Sequence, residues 1–367
     1  MYPYFDTFTF LLYLVMGIGF AMFVKSYTKS KGNRDLVRAL VLFVIFAISR
    51  QVHYSLGGED SYNYEMSFLS SKQELPDMEL LFAYFTRAIR NITSSPVIYR
   101  FFCYLLIGSG YFYFIKTFCP RKSSAIPYIA LIIPFILSFN TMRSSMAAAI
   151  ILLGMVFLQE KRYFWATVFC LAAVFFHRMA ALFVPFLLFY LIFKNGWLFK
   201  SRIRFLVIVF SIIFVSVFCV SLVKDYIILL GALDSTDSYY LTRNSDASIL
   251  SASSYLLPVV LIGGFIFISR FKELYEEHPL LMLMVVYDIV IFPASFMLGM
   301  WRVNEFFYVA RLTMWAILIY QFRFRFTPSS RQLVTFMFLG GFILWTVNRI
   351  NAVWEDASLM PYLLNWF

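Results

Sequence analysis

Asn140-Thr-Met-Arg143-Ser-Ser-Met-Ala147-Ala-Ala-Ile150, Gln159-Glu-Lys-Arg162 and Phe176-His177-Arg178 together decide the fold. Two apolar segments, about 143 to 158 and 163 to 177, flank the tight charged turn at Gln159 to Arg162. The pattern predicts a transmembrane hairpin. If both helices cross the bilayer, Arg143 and the His177-Arg178 pair return to the same face, and that face is where chemistry is expected.

Composition points the same way. The 367 residues are 61% hydrophobic, 21% aromatic and only 14% charged, more apolar surface than a water-soluble domain can hide. The chain reads as an all-α polytopic integral membrane protein, one transmembrane domain over 1–367. Its start, Met1-Tyr-Pro-Tyr-Phe-Asp6, has an acid and no basic residue, unlike a secretory signal, so the first apolar run is expected to stay as a helix. Cys103, Cys119, Cys170 and Cys219 lie in or beside apolar runs without metal spacing and read as packing residues.

The apolar runs fall near 8–24, 36–49, 97–115, 126–139, 143–158, 163–177, 179–193, 205–223, 254–269, 280–300, 303–321 and 333–348. This predicts about 12 transmembrane helices (10–12), since one or two runs are short enough to be re-entrant. Lysine concentrates in alternate connections, with Lys72 and Lys224 the exceptions. By the positive-inside rule those connections are cytoplasmic and both termini are outside. The net charge of +11 then needs only anionic membrane lipid as a partner, and no nucleic acid.

The opposite face carries external loops at about 50–96 and 224–253, and apart from Lys72 and Lys224 its basic residues are arginines: Arg50, Arg87, Arg90, Arg143, Arg178, Arg243, Arg302 and Arg349. Arginine binds phosphate and carboxylate through a planar fork and stays charged. Arginines set against the orientation rule point to an anionic ligand outside. In the first loop, Gly57-Gly-Glu-Asp60-Ser-Tyr62-Asn-Tyr64 offers a turn, a carboxylate and two rings suited to a sugar. Glu79 to Arg90 predicts an interfacial helix on the outer leaflet, with Leu80, Leu81, Tyr84, Phe85, Ala88 and Ile89 mostly opposite the charged pair.

Two charges lie inside spans, Asp288 and Arg311; they read either as an ion pair between neighbouring helices or, for Arg311, as a ligand contact. Pro127, Pro134, Pro185, Pro258 and Pro293 predict kinked or broken helices around a cavity. Asp77-Met-Glu79 has an acid-x-acid spacing compatible with a divalent ion, but no histidine cluster supports it, and a metal-independent protein is expected.

Asn140-x-x-Arg143-x-x-x-Ala147 followed by Phe176-His177, with Arg50, Gly58-x-Asp60-x-x-x-Tyr64 and Glu79 upstream, resembles the EpsG branch of the Wzy-type polysaccharide polymerases. The similarity continues through Trp301-Arg302-Val-Asn304 to Arg311 and to Pro361-Tyr362. Ser144 stands where members often have glutamine, and Met179 where they have a small hydroxyl residue. The resemblance implies a GT-C-like helical fold, similar to that of O-antigen ligases. It also implies a glycosyltransferase on the outer face of a bacterial cytoplasmic membrane. The donor would be a glycan on undecaprenyl diphosphate and the acceptor a lipid-linked repeat unit. A Wzx-type flippase and a chain-length regulator would accompany it, and no cofactor is implied.

Within that expectation the diphosphate falls to Arg143 and Arg178, then Arg302 and Arg311. His177 is the first candidate base and Asp60 the second. Arg50 anchors its loop or touches phosphate, Tyr64 and Glu79 meet sugar, and Tyr239-Tyr240 contributes to repeat-unit specificity. Plainer readings stand beside these. Arg143 and Arg178 snorkel to lipid phosphate, and His177 makes one interfacial hydrogen bond. Asp60 closes an Asx turn, Glu79 complements a helix N-terminus, and Arg302 pairs with Glu305. A lipid-linked oligosaccharide flippase would show an internal repeat, which is not seen. A membrane O-acyltransferase would need a cytoplasmic acyl donor, on the face opposite His177.

Overall fold

The computed structural model of the chain describes residues 6–30, 32–52, 58–70, 79–229, 264, 271–297 and 305–322. Among these residues the regular structure is helical and no β-strand occurs. The helices are α1 (Thr7–Ser30), α2 (Arg34–Ser49), α3 (Glu59–Ser70), α4 (Leu80–Ile92), α5 (Pro96–Phe118), α6 (Ile132–Asn140), α7 (Met142–Gln159) and α8 (Tyr163–Phe176). They continue with α9 (Val184–Phe193), α10 (Arg202–Leu229), α11 (Phe271–Glu277), α12 (Pro279–Met297) and α13 (Tyr308–Phe322). Short 3-10 turns at Ile126–Leu131 and Arg178–Phe183 lead into α6 and α9.

The chain forms two compact units, Met1–Ala181 with Trp315–Phe367 and Leu182–Met314. In the first, α7 is the buried centre, from Met142 through Leu158, because its small face lets neighbours close in. A Cβ added to Gly110 of α5 would lie 2.6 Å from the Cβ of Ala149, so only glycine permits that approach. Rings fill the space between α1, α2, α5 and α6: Phe43 and Phe135 have centroids 4.2 Å apart, and Phe20 stands edge-on to Phe135. In the second unit, Phe186 and Phe189 of α9 pack on Tyr287 of α12.

Among the described residues four helices are long and apolar enough to cross a membrane: Thr7–Ser30, Pro96–Phe118, Met142–Gln159 and the Arg202–Val220 part of α10. The pair α11–α12, bent by 113°, makes a fifth if taken as one span. The chain is a membrane protein. The expected run at 333–348 lies outside the described residues, as does 254–269 apart from Gly264. Segments 126–140, 163–176 and 178–193 form apolar helices shorter than a full crossing. Two of these three are partly 3-10, since Pro127 and Pro185 sit in the first turns of their elements and set where each begins. Pro293 lies inside α12. Cys103, Cys119 and Cys170 are buried as expected of packing residues, whereas Cys219 is exposed on the outward side of α10.

The segment expected to form the first external loop, about 50–96, holds two helices, α3 and α4, where one was expected. The helix α4 has two apolar faces: Phe82, Ala83, Thr86 and Ile89 point inward, while Leu80, Tyr84, Ala88 and Ile92 form an exposed row four residues apart, so of the apolar side expected Ile89 is buried and Leu80, Tyr84 and Ala88 are exposed. Protein contacts decide this. Phe82 meets Tyr64 of α3, and Phe85 meets Phe176 of α8, with centroids 5.7 and 5.9 Å apart. The helix is docked on α3 and α8 along one side and keeps a second apolar row outward, as a helix at a lipid interface does.

Candidate functional site

The α6–α7 junction is the first fixed point. Thr141 interrupts the helix (φ −100°, ψ 41°), its N–H donating to Leu137 O while its carbonyl accepts from Ser145 N–H. This break turns Asn140 toward α3 and opens α7 with Arg143. Gly58 approaches the junction with φ +101°, and a Cβ there would lie 2.4 Å from Phe139 O, so backbone meets backbone. Asp60 N–H then donates to Asn140 Oδ1 at 2.9 Å, and the Ser61 hydroxyl donates to the Phe139 carbonyl.

Beneath this seam lies a buried polar layer. Arg50, 1% exposed, donates through Nη2 to Ser61 Oγ at 3.0 Å and to Tyr104 OH at 2.9 Å, with its guanidinium 4.3 Å from the Phe139 ring centroid. Tyr104 in turn donates to Ser138 O at 3.0 Å. Arg100 donates to Arg50 O at 2.8 Å and stands 3.4 Å from Glu65. Of the two roles expected for Arg50, these contacts are those of the loop anchor. Arg100, Glu65 and Tyr104 escaped the sequence reading. The available signal was Arg100, a cation one turn inside the apolar run that begins near Pro96.

Above the seam, one carboxylate gathers the charged residues. Glu79 immediately precedes α4 and makes no side-chain bond to that helix. Its Oε2 accepts from Arg143 Nη1 at 2.6 Å, and its Oε1 lies 3.2 Å from His177 Nδ1 and accepts from Arg178 N–H at 3.0 Å. The last two contacts arise because α8 stops at Phe176 and His177 is extended (φ −159°, ψ 118°), turning its ring and the next N–H to the same side. Burial alone would raise the Glu79 pKa. The His177 hydrogen bond, the Arg143 charge and the Arg178 N–H outweigh it and pull the value down from 4.5 to about 2. Glu79 is therefore a carboxylate at neutral pH.

The remaining predicted residues divide clearly. The buried Tyr64 ring lies 5.9 Å from the Arg143 guanidinium, beside Phe82 at 6.0 Å, so it forms an aromatic wall under the arginine. Asp60 is half-buried and the Arg178 side chain is exposed. Arg311 belongs to the second unit, where its Nε stands 2.7 Å from Asp288 Oδ2 and its guanidinium 4.9 Å from the Tyr308 ring. The expected ion pair between those two spans is present. Arg302, with its expected pairing to Glu305, Tyr239, Tyr240 and Asp77 lie outside the described residues. Among the described residues no three His, Cys, Asp or Glu side chains form a metal-holding group.

The sequence model of the EpsG family matches residues 36–364. The chain belongs to the EpsG family. This is a family of Wzy-type polysaccharide polymerases, and the match runs through Arg50, the α3–α4 loop, the hairpin and Arg311. No curated protein and no solved structure matches the chain. In this EpsG-family chain, residues far apart in sequence, Gly58, Asp60, Glu79, Asn140, Arg143 and His177, converge within one compact unit.

Proposed function

We propose that the protein polymerises oligosaccharide repeat units carried on undecaprenyl diphosphate, by inverting transfer on the outer face of a bacterial cytoplasmic membrane. The observation that carries this reading is the gathering of Arg143, His177 and the Arg178 N–H on Glu79. It sets a proton acceptor beside the permanent cation of Arg143, as displacement of a diphosphate requires. Membership of the EpsG family supports the same class of reaction.

In the reaction, a hydroxyl oxygen of the acceptor repeat unit attacks the anomeric carbon of the donor glycan. The bond from that carbon to the diphosphate oxygen breaks, and the anomeric configuration inverts. His177 takes the hydroxyl proton, a general-base role worth about 10²–10⁴-fold. Arg143 and Arg178 receive the charge that develops on the leaving undecaprenyl diphosphate. Asp60 is the reserve base. The Tyr64 wall and the Tyr239-Tyr240 loop belong to the sugar-recognition surface. The energy comes from the phosphoester of the donor, so the reaction uses no nucleotide, and the arginines take the charge-stabilising role that a metal fills elsewhere.

The fold that belongs to this reading is GT-C-like, with both termini outside. The partners are a Wzx-type flippase that delivers repeat units and a chain-length regulator. The exposed row on α4 faces the outer leaflet, from which the lipid-linked substrates approach.

The test is polymerisation of the native lipid-linked repeat unit by purified protein in nanodiscs, with chelator and without nucleotide sugar. Wild type should give a product ladder. Arg143→Ala and His177→Ala, with folding intact, should lose about 10²-fold or more of the rate. Absence of a ladder from folded wild-type protein would overturn the polymerase reading.

A further inference from the structure

We propose that Glu79 is the positioning residue of this site: it holds the His177 ring with Nδ1 protonated, so that Nε2 is the atom that takes a proton, and it ties that ring to Arg143. The second half of this statement rests on the function proposed above; the tautomer does not.

The argument begins with hydrogen-bond polarity. An ionised carboxylate only accepts, so a neutral imidazole whose Nδ1 lies 3.2 Å from Oε1 must present a proton there. The lone pair is then on Nε2. The low Glu79 pKa, about 2, agrees with a carboxylate that stays ionised wherever the imidazole titrates.

Charge balance gives Glu79 its second effect. The charges around His177 are Glu79 from the segment before α4, in contact with the ring, Arg143 from α7, which shares that carboxylate, and Arg178, its neighbour in sequence, whose side chain is exposed. A neighbouring cation without its carboxylate would resist protonation of the ring. Glu79 places its negative charge in direct contact with the ring and with Arg143, and so favours the imidazolium formed when the base takes its proton.

The two oxygens do different work. Oε2 holds Arg143 from 64 residues away and Oε1 holds His177 from 98 residues away. The spacing between base and phosphate-binding cation is therefore set by the width of one carboxylate. A sugar-orienting role, the expectation from sequence, would place these oxygens on substrate, whereas three protein donors occupy them.

The test is nitrogen NMR of histidine-labelled full-length protein in nanodiscs. The chain has three histidines, His53, His177 and His278, and loss of one signal set in His177→Gln assigns the relevant ring. The expected wild-type spectrum shows His177 with a protonated Nδ1 and an unprotonated Nε2 at neutral-ring pH. In Glu79→Gln the Nδ1–H population should fall, and the ring should become harder to protonate. Glu79→Asp should restore part of both.

A wild-type His177 protonated on Nε2, or a tautomer and pKa unmoved in Glu79→Gln, would overturn the proposal. The wild-type spectrum decides the tautomer even if the variants fold poorly. In polymerisation assays Glu79→Gln should lower kcat more than it raises KM, and should move the acid limb of the pH profile downward. A substrate-displaced carboxylate would instead give tighter binding of undecaprenyl diphosphate with kcat retained, and that result overturns the positioning role. If the NMR result holds while wild type makes no polymer, the polymerase reading fails and the tautomer assignment stands.

Discussion

The backbone N–H of Asp60 donates to Asn140 Oδ1 at 2.9 Å, joining positions 80 apart, and Gly58 makes the contact possible. The seam holds the start of α3 on the break from which Arg143 emerges. Gly58→Ala forces both a left-handed φ and a Cβ 2.4 Å from Phe139 O, so it should cost about 3 kcal/mol or more. Asn140→Ala removes one hydrogen bond and should cost about 1 kcal/mol. Thermal unfolding of the two variants in nanodiscs should therefore separate them clearly. Equal midpoints would mean that the close approach does not hold the seam.

Arg50 should behave as an anchor. Arg50→Met removes two charge-assisted hydrogen bonds to buried hydroxyls and the contact over Phe139, a loss of about 3 kcal/mol. Arg50→Lys should recover only part, because an ammonium cannot lie flat on the ring while reaching Ser61 and Tyr104. The measurement is the unfolding midpoint beside the polymerisation rate. An Arg50→Met protein that keeps its midpoint and loses activity would return Arg50 to the phosphate-contact role.

Glu79 gives the acid dependence a definite sign. Its pKa falls from 4.5 to about 2 on folding, so below pH 4.5 the unfolded chain takes up the proton first. The contribution is complete above 4.5 and is lost as pH falls toward about 2. The wild-type midpoint should drop through that window, and the drop should be shallower in Glu79→Gln. Parallel curves for the two proteins would show that the Arg143–Glu79–His177 contacts do not act on stability.

The hairpin was legible because its signals are local. An apolar run, a charged turn and a second apolar run return Arg143 and His177-Arg178 to one place, and Glu79 indeed touches all three. What Glu79 does there was not legible, since a carboxylate before a helix is equally suited to substrate, to a cap or to a distant arginine. Only the 64-residue return to Arg143 settles its partner. The inward face of α4 was not legible for a related reason. Periodicity distinguishes charged from apolar positions, but on a helix with apolar residues almost all round it cannot tell protein contact from lipid contact. Arg100 and Glu65 were hidden because a buried pair is recognised by mutual distance, and in sequence they read as one stray cation and one loop acid.

The Asp288–Arg311 pair permits a sharper test than loss of function. The two groups are 2.7 Å apart, both almost fully buried, with Arg311 also against the Tyr308 ring. A paired buried charge is close to neutral for stability, while an orphaned one costs about 3–5 kcal/mol. Asp288→Ala strands the guanidinium, and Arg311→Met strands the carboxylate. The double variant strands neither and should be more stable than either single one, giving a coupling of about 2 kcal/mol or more in the double-mutant cycle. Unfolding midpoints of the four proteins measure this directly. Activity separates the second role: if Arg311 meets the diphosphate, the double variant should regain stability without regaining turnover. If it regains both, Arg311 holds its helices together and the phosphate is carried by Arg143 and Arg178.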